Sequence, residues 1–269
     1  MNPYKLSYAE IEKKAKAIRR KIVVMNANSS AGGHTGADLS QVDILASLYF
    51  RVLNCDPNNL NDPERDIYIQ SKGHGAGGYY CCLAEAGYIP EEWLSTYQHA
   101  DSKLPGHPVK HKTPGVELNT GALGHGLPVA VGLALAAKKS SSKRKIYVLT
   151  GDGELDEGSN WEAALVAAQY KLDNLVIIND KNQLQLAGFT KDILNTDPLD
   201  EKWKAFGLEV HECEGNDVRS IVDTLENLQP NGKPLVVIAN TIKGAGISFI
   251  QGKPEWHHRV PKGEEVVLA

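Results

Sequence analysis

The rest of the chain is organised around the stretch Thr150–Gly188, which reads TGDGELDEGSNWEAALVAAQYKLDNLVIINDKNQLQLAG. It follows the apolar run Ile146–Leu149 and contains a second apolar run, Leu175–Ile178. Both runs have the length and composition of buried strands. Asp152 follows the first run and Asn182 the second, with room for one crossover helix between them. The pattern therefore predicts two parallel strands joined by a helix.

The residues at these two strand ends predict a site for a metal-bound diphosphate. Parallel strands present their carboxyl ends along one edge of the sheet, so Asp152 and Asn182 are expected to lie side by side. Gly151 and Gly153 have no side chain, and the backbone there can approach a ligand closely. One carboxylate and one amide oxygen suit Mg²⁺, which usually keeps phosphate oxygens among its ligands. A Gly-Asp-Gly tripeptide alone is more often a plain turn, and the second strand end makes the prediction specific.

Motifs along nearly the whole chain resemble those of the transketolase family. The segments GDGELDEG and NLVIINDKNQLQLAG look like the thiamine-diphosphate motif of that family. Further matches stand in the same order: GGHTGADLS (32–40), SKGHG (71–75), PGHP (105–108), NTGALGHGL (119–127) and PEWHH (254–258). The resemblance is to the amino-terminal half of a transketolase, and no segment of this chain matches the carboxyl-terminal half.

The resemblance implies roles for the residues at matching positions. Asp152, Asn182 and the backbone carbonyl of Leu184 would hold Mg²⁺ or Ca²⁺. His34, His107 and His257 match substrate-facing histidines, and an imidazole with a pKa of about 6.5 is suited to proton exchange with sugar hydroxyls. The implied cofactor-binding residues are His74, Gly121, Leu123, Gly151, Gly153, Glu157, Asn182 and His257.

Several of these positions have a simpler alternative explanation. His74 would also serve as the cap of the following helix, and Glu157 as a helix-start carboxylate favoured by the helix dipole. His257 and His258 are adjacent, and alignment on the family's histidine-glycine step favours His257, with His258 in place of the glycine. His125 stands where many relatives have glutamine.

Five candidate strands with intervening helices predict the fold class. The strands are expected at 66–70, 146–149, 175–178, 208–212 and 235–239. This alternation is typical of an α/β protein with a doubly wound, mostly parallel sheet and helices on both faces. We expect one domain over residues 1–269.

Helix boundaries follow from periodicity and capping residues. An amphipathic helix is predicted over residues 6–27. Ser40 is expected to cap a second helix that reaches Val52. The segment Gly121–Gly124 is expected to open a helix that ends near Lys139. Ser159 and Glu162 have the spacing of a capping box at another helix start.

Composition limits the classes of partner. The 269 residues are 42% hydrophobic and 23% charged, which is ordinary for a globular protein, and a net charge of −4 gives no basic field for nucleic acid. The most apolar helix-like stretch, Leu127–Ala137, is far shorter than the roughly 20 residues of a membrane span. No signal pattern or Cys-x-x-Cys pair is present, so we expect a cytoplasmic protein with reduced thiols. His99, His107 and His111 match no common zinc spacing.

The resemblance implies transfer of a two-carbon ketol unit from a ketose to an aldose, with thiamine diphosphate as the electron sink. We expect the chain to be inactive alone and to work with a separate carboxyl-terminal subunit, two copies of each. One alternative is the α-subunit of a 2-oxo-acid dehydrogenase, which lacks the histidine set. Another is a non-catalytic paralogue that binds the cofactor. The donor is left open among a pentose phosphate, a branched sugar phosphate and a sulfosugar.

Overall fold

The computed structural model describes residues 2–186 and 188–269. Within them, five strands form one sheet in the order β1-β2-β3-β5-β4, and every neighbouring pair is parallel. The predicted α/β fold with a parallel sheet is confirmed. The strands are β1 Ile67–Gln70, β2 Ile146–Gly151, β3 Leu175–Lys181, β4 Glu209–Glu214 and β5 Leu235–Asn240.

Helices fill the connections between these strands. The α-helices are α1 Tyr8–Asn28, α2 Thr35–Ser40, α3 Val42–Ser47, α4 Ala76–Glu85, α5 Gly126–Lys139, α6 Gly158–Gln169, α7 Thr190–Ile193, α8 Leu199–Ala205, α9 Val218–Glu226 and α10 Glu264–Leu268. A π-helical turn, Leu48–Val52, follows α3, and short 3₁₀ segments occur at Gly73–Gly75 and Gly153–Asp156. None of the helices in the described residues combines the length and apolarity that a membrane span requires.

Both faces of the sheet are covered. In β2, Tyr147 and Leu149 belong to the cluster with α1, α3, α4 and α9, whereas Ile146 and Val148 belong to the cluster with α5, α6 and α8. Successive strand residues point to opposite faces, so both must be apolar in a parallel sheet buried by helices. This explains why the strands read as continuous apolar runs. The prediction of one domain over residues 1–269 stays a prediction.

Helix α1 matches its prediction closely. Ile11, Ile18 and Ile22 lie on one fully buried stripe. At its start, the backbone N–H and hydroxyl of Ser7 both donate to the Glu10 carboxylate, at 2.8 and 2.6 Å. This reciprocal contact fixes where the helix begins.

The prediction that Ser40 caps the second helix is wrong. The helix α2 already begins at Thr35, and Ser40 is its last residue. The Ser40 hydroxyl instead donates to the carboxylate of Asp180, at 2.6 Å, across to the end of β3. A tertiary hydrogen bond therefore replaces the expected local one.

Two further boundary predictions are wrong. Gly121–Gly124 does not open the helix α5, which begins at Gly126, because Gly121 and Gly124 have φ of 145° and 76° and cannot be helical. Ser159 does not cap α6, since it lies inside the first turn and donates to the carbonyl of Gly124, at 2.6 Å. Both corrections concern the contact between the segment Gly121–Gly124 and the start of α6. These two segments border the candidate site.

Candidate functional site

A cleft of about 280 Å³ opens at the carboxyl edge of the sheet, beside the ends of β1, β2 and β3. The chain brings residues more than a hundred positions apart into its wall. The predicted residues that line it are His74, Gly121, Leu123, Gly151, Asp152, Gly153, Asn182, Leu184 and His257.

Asp152 and Asn182 lie in two neighbouring loops, one after β2 and one after β3, as the parallel strands predict. One Asp152 carboxylate oxygen accepts from the backbone N–H of Gly153, at 2.8 Å, and the other accepts from that of Gln183. The Asn182 side-chain oxygen accepts from the N–H of Leu184, at 3.2 Å. Both side chains are buried. The three predicted metal ligands thus belong to one hydrogen-bonded loop pair.

The donor set of this loop pair fits a hard divalent cation. Burial, with the nearby negative Asp180, raises the pKa of Asp152 to about 7. A cation at the carboxylate would favour its charged form, which is the form a metal needs. Within residues 2–186 and 188–269, no three His, Cys, Asp or Glu side chains are gathered so that they could hold a metal by themselves. A metal bound here by Asp152, Asn182 and the Leu184 carbonyl would therefore draw further oxygens from a phosphate-bearing ligand.

Glu154 ties the wall of the cleft together, and the sequence reasoning did not single it out. Its buried carboxylate accepts from the Ser71 hydroxyl at 2.6 Å, the Gly124 N–H at 3.0 Å and the Gly151 N–H at 3.1 Å. Burial raises the pKa of Glu154 above its usual range although these hydrogen bonds oppose the rise. The only sequence signal is its place within GDGELDEG. One side chain therefore holds together three segments that border the cleft.

Close packing of glycines shapes the same wall. A Cβ on Gly73 would lie 2.7 Å from the Gly121 nitrogen, and a Cβ on Gly121 would lie 3.1 Å from the His107 ring. Neither position has space for a side chain. The two loops therefore pack closely, and the backbone of Gly121 lies at the surface of the cleft, which suits a diphosphate.

The predicted histidines meet above the cleft, with His34 at the centre. The ring centroid of His34 lies 5.4 Å from that of His74, 6.1 Å from His107 and 5.6 Å from His257. His258 is also present, at 4.6 Å. We name these five residues the histidine cluster. Its members come from four separate segments. The sequence gives the order of these segments along the chain but not their proximity in the fold.

Four members of the histidine cluster, His34, His74, His107 and His257, have a pKa below the usual histidine value and are uncharged near neutral pH. Burial, followed by the neighbouring His258 and His107, lowers the pKa of His34 to about 4. Burial, followed by Lys243, lowers the pKa of His257 to about 3, and burial also lowers the pKa of His107. Neutral imidazoles can accept a proton from a sugar hydroxyl at one nitrogen and donate from the other.

Lys243 is a second residue that the sequence reasoning missed. Its ammonium donates to the Leu184 carbonyl, at 3.1 Å, and lies 2.6 Å from Nδ1 of His257. Burial, followed by the positive Lys72, lowers the pKa of Lys243 to about 8. A cation therefore stands between the predicted metal loop and the histidine cluster. Its motif, KGAGISF, gave no chemical signal by itself.

Lys72 and Asp180 form an ion pair beneath the cleft, with both side chains almost completely buried. The Lys72 ammonium also donates to the carbonyl of Ala37, at 3.1 Å, and to the hydroxyl of Ser40, at 3.3 Å. The second Asp180 oxygen accepts from Thr241. Burial alone would raise the pKa of Asp180, but Lys72 and the hydroxyls of Ser40 and Thr241 together outweigh it, and the pKa lies below its usual range.

Some predicted positions lie outside the cleft or have a different local role. Glu157 is exposed and packs its Cβ beside Gly124. His125 is exposed, and its ring nitrogen contacts the Leu123 carbonyl at 2.9 Å. His74 makes no capping hydrogen bond to a helix, so the alternative explanation as a cap is wrong.

Together the parallel α/β sheet, the Asp152–Asn182 loop pair and the close-packed glycines define an α/β domain with a site suited to a metal-bound diphosphate. Comparison with known proteins gives the family. Residues 11–269 match the family described as transketolase, thiamine diphosphate binding domain. The chain belongs to the transketolase family, as the motifs predicted.

Three relatives are similar over most of their own length. An apulose-4-phosphate transketolase subunit from Actinobacillus succinogenes is 86% identical, covering 100% of this chain and 98% of that protein. The protein of the same name from Phocaeicola vulgatus is 42% identical, covering 91% of this chain and 88% of that protein. The 6-deoxy-6-sulfo-D-fructose transketolase subunit SqwG of a Clostridium species is 41% identical, over 89% and 87% respectively.

Solved transketolases share the fold but are longer. The crystal structure of the transketolase from Campylobacter jejuni superposes with a TM-score of 0.91 at 34% identity. The match covers 97% of this chain but only 42% of the Campylobacter jejuni chain. The chain therefore spans about two fifths of the solved transketolases that it matches. The prediction of an amino-terminal, thiamine-diphosphate-binding transketolase half, a transferase by class, is confirmed. These relatives are all transketolases, which favours this prediction over the 2-oxo-acid dehydrogenase alternative.

Proposed function

We propose that this chain is one subunit of a two-chain transketolase, which transfers a two-carbon ketol unit with thiamine diphosphate and a divalent metal. The observation that carries the proposal is that the Asp152–Asn182 loop pair and two members of the histidine cluster, His74 and His257, line one cleft, with the His34 ring 5.6 Å from that of His257. When bound, thiamine diphosphate supplies the electron sink for breaking a carbon–carbon bond beside a carbonyl. The chain itself contributes binding, orientation and proton handling.

The diphosphate end of the cofactor is assigned to the floor of the cleft. Asp152, Asn182 and the Leu184 carbonyl would hold Mg²⁺ or Ca²⁺. Lys243 adds a positive charge 3.1 Å from the Leu184 carbonyl, which suits an anionic ligand. The backbone surface would come from Gly121, Leu123, Gly151 and Gly153, and the opposite wall from His74 and His257.

Proton handling is assigned to the upper part of the cleft. His34, His107 and His257 are neutral at the pH where sugars react. His34 and His107 can therefore take a proton from a substrate hydroxyl, and all three can donate to a forming alkoxide. The short contact with the Lys243 ammonium engages Nδ1 of His257. Since an ammonium can only donate, the ring proton of the neutral His257 lies on Nε2, which is left to donate to a substrate hydroxyl or a forming alkoxide.

The sugar donor is proposed from the relatives. The protein from A. succinogenes, 86% identical, carries apulose-4-phosphate in its name, and we propose the same donor for this chain. The relative named for 6-deoxy-6-sulfo-D-fructose is only 41% identical, so the sulfosugar is the second candidate. Turnover of each sugar, and of a linear pentulose phosphate, by the complete complex distinguishes the three.

The partner is proposed to be a carboxyl-terminal transketolase subunit, in a complex with two copies of each chain. Both relatives named for apulose-4-phosphate are themselves named as subunits, and this chain covers 98% and 88% of their length. The exposed Glu157 beside Gly124 is proposed to lie at the contact between the two kinds of chain. Mixing the purified chain with its partner, Mg²⁺ and thiamine diphosphate should start ketol transfer. Robust turnover by the isolated chain would contradict this proposal.

The metal assignment is tested by calorimetric titration of thiamine diphosphate with Mg²⁺ and with a chelator. We expect measurable affinity only with Mg²⁺, because an anionic diphosphate beside the Asp152 carboxylate needs a bridging cation. Asp152→Ala should remove the metal dependence while the far-ultraviolet circular dichroism stays the same. The exposed Asp101→Ala serves as the matched control. Equal affinity in both buffers would end the metal assignment.

A further inference from the structure

The fifth member of the histidine cluster, His258, occupies a different place from its neighbour. His257 lines the inner cleft with His74 and Lys243. His258 lines a second, outer cavity of about 690 Å³ together with Gly32 and further residues of the carboxyl-terminal segment. His34 contacts both rings, at 5.6 and 4.6 Å between centroids. The two consecutive histidines therefore connect the inner cleft to the outer cavity.

The structure makes room for the His258 ring. A Cβ placed on Gly32 would lie 3.4 Å from both Cε1 and Nε2 of His258. Gly32 also has a φ of 90°, which a residue with a side chain rarely adopts. The Gln98 side chain donates to the Gly32 carbonyl, at 2.9 Å, and fixes this backbone. The exposed imidazole lies beside His34 and lines the outer cavity.

The charges of the outer cavity indicate what it can hold. Arg259 is engaged twice, by an ion pair with Glu265 and by stacking over Trp256 at 4.2 Å. Lys262, Glu264 and Glu265 also line the cavity, so its wall carries two basic and two acidic side chains. The cavity therefore has no excess of either charge, and a neutral hydroxyl group can both donate to and accept from the His258 imidazole.

We infer that His258 contacts a hydroxyl group on the part of the sugar that is not transferred, and so sets which sugars the enzyme prefers. This inference rests on the proposed function. The His34 ring lies between His257, which lines the inner cleft, and His258, which lines the outer cavity. A substrate whose carbonyl end lies at His257 and whose remaining carbons extend toward the outer cavity would therefore meet His258. A sugar with more carbons beyond the reacting carbonyl would therefore depend more on His258.

The experiment compares the complete complex of wild type, His258→Gly and His258→Asn on unphosphorylated aldose acceptors of two, three and four carbons. We expect His258→Gly to lower kcat/KM for the four-carbon acceptor by roughly three- to tenfold, the value of one hydrogen bond, and for the two-carbon acceptor by less. His258→Asn, which keeps a donor and an acceptor, should recover part of the loss. The matched control is His111→Gly, an exposed histidine outside the cluster, which should change none of the ratios.

Two measurements separate failure of this inference from failure of the proposed function. If wild type transfers ketol units but His258→Gly lowers kcat/KM equally for all acceptors, or for none of them, the role of His258 is overturned and the proposed function stands. If the wild-type complex transfers no ketol unit to any acceptor, both fall. Calorimetry should show the same thiamine diphosphate affinity for wild type and His258→Gly; a weakened affinity would instead place His258 at the cofactor and overturn its role in sugar preference.

Discussion

Replacing Lys72 by methionine tests whether the buried ion pair beneath the cleft holds the site together. Methionine keeps most of the length of the side chain but removes the ammonium, so the Asp180 carboxylate stays buried with only the hydroxyls of Ser40 and Thr241 as donors. Lys72 is 1% exposed and Asp180 is 0% exposed. Water therefore cannot take the place of the missing charge.

The expected magnitude follows from this burial. Removing one partner of a buried ion pair typically costs about 3–5 kcal/mol, because the other charge is left uncompensated. Lys72→Met also deletes the donor to the Ala37 carbonyl. We expect Lys72→Met and Asp180→Asn each to lower the free energy of unfolding by an amount in this range. The double variant should lose about 2–3 kcal/mol less than the sum, since neither charge is then left alone.

Urea unfolding followed by tryptophan fluorescence and circular dichroism measures these losses. Lys204→Met, which breaks an exposed ion pair with Asp200 on the surface of α8, is the matched control and should leave the midpoint in urea unchanged. Strictly additive losses, or a loss below about 1 kcal/mol for Lys72→Met, would refute the reasoning that the pair is desolvated and coupled.

Three other perturbations test particular contacts of the site. Glu154→Gln weakens a carboxylate that joins three loops, and should lower the free energy of unfolding by about 1–3 kcal/mol and reduce cofactor affinity in calorimetry. The folded pKa of His34, about 4, lies below that of an unfolded histidine, so its stabilising contribution is complete above about pH 6.5 and is lost as the pH falls toward 4. Between pH 7 and pH 5, the free energy of unfolding of His34→Gln should therefore fall by about 2 kcal/mol less than that of wild type, as measured by urea titrations. An identical fall for both proteins would contradict the shifted pKa. Gly126→Ala forces a methyl group into the space of the Ser71 side chain and should cost about 1–3 kcal/mol, whereas Gly132→Ala, with no atom within 4 Å, should be neutral or stabilising by thermal unfolding.

The sheet could be predicted because local pattern and global packing agree. The runs around Val148 and Ile177 are apolar on both faces, and such strands are buried on both sides in parallel sheets with helices between them. Asp152 and Asn182 then had to lie at the same edge, which the structure bears out. Here the positions of two polar residues followed from the strands alone.

The residues that sequence reasoning missed share one physical property. Lys72, Lys243, Glu154 and Asp180 are charged residues whose burial is caused by tertiary contacts across distant segments. Charged side chains are almost never buried unless paired, so sequence alone assigns them to the surface. The helix boundary at Ser40 failed for the same reason, because its hydroxyl bonds to a distant segment rather than to its own helix.

The site is built in two layers with different electrostatics. The lower layer consists of buried charges that satisfy one another, with Lys72 paired to Asp180 and Lys243 bound to the Leu184 carbonyl. Such fully bonded networks resist rearrangement, because any displaced charge would be left without water or a partner. The upper layer consists of neutral imidazoles around His34. A rigid, charged floor can fix an anionic cofactor, while neutral rings above it exchange protons with a sugar without first having to lose a charge.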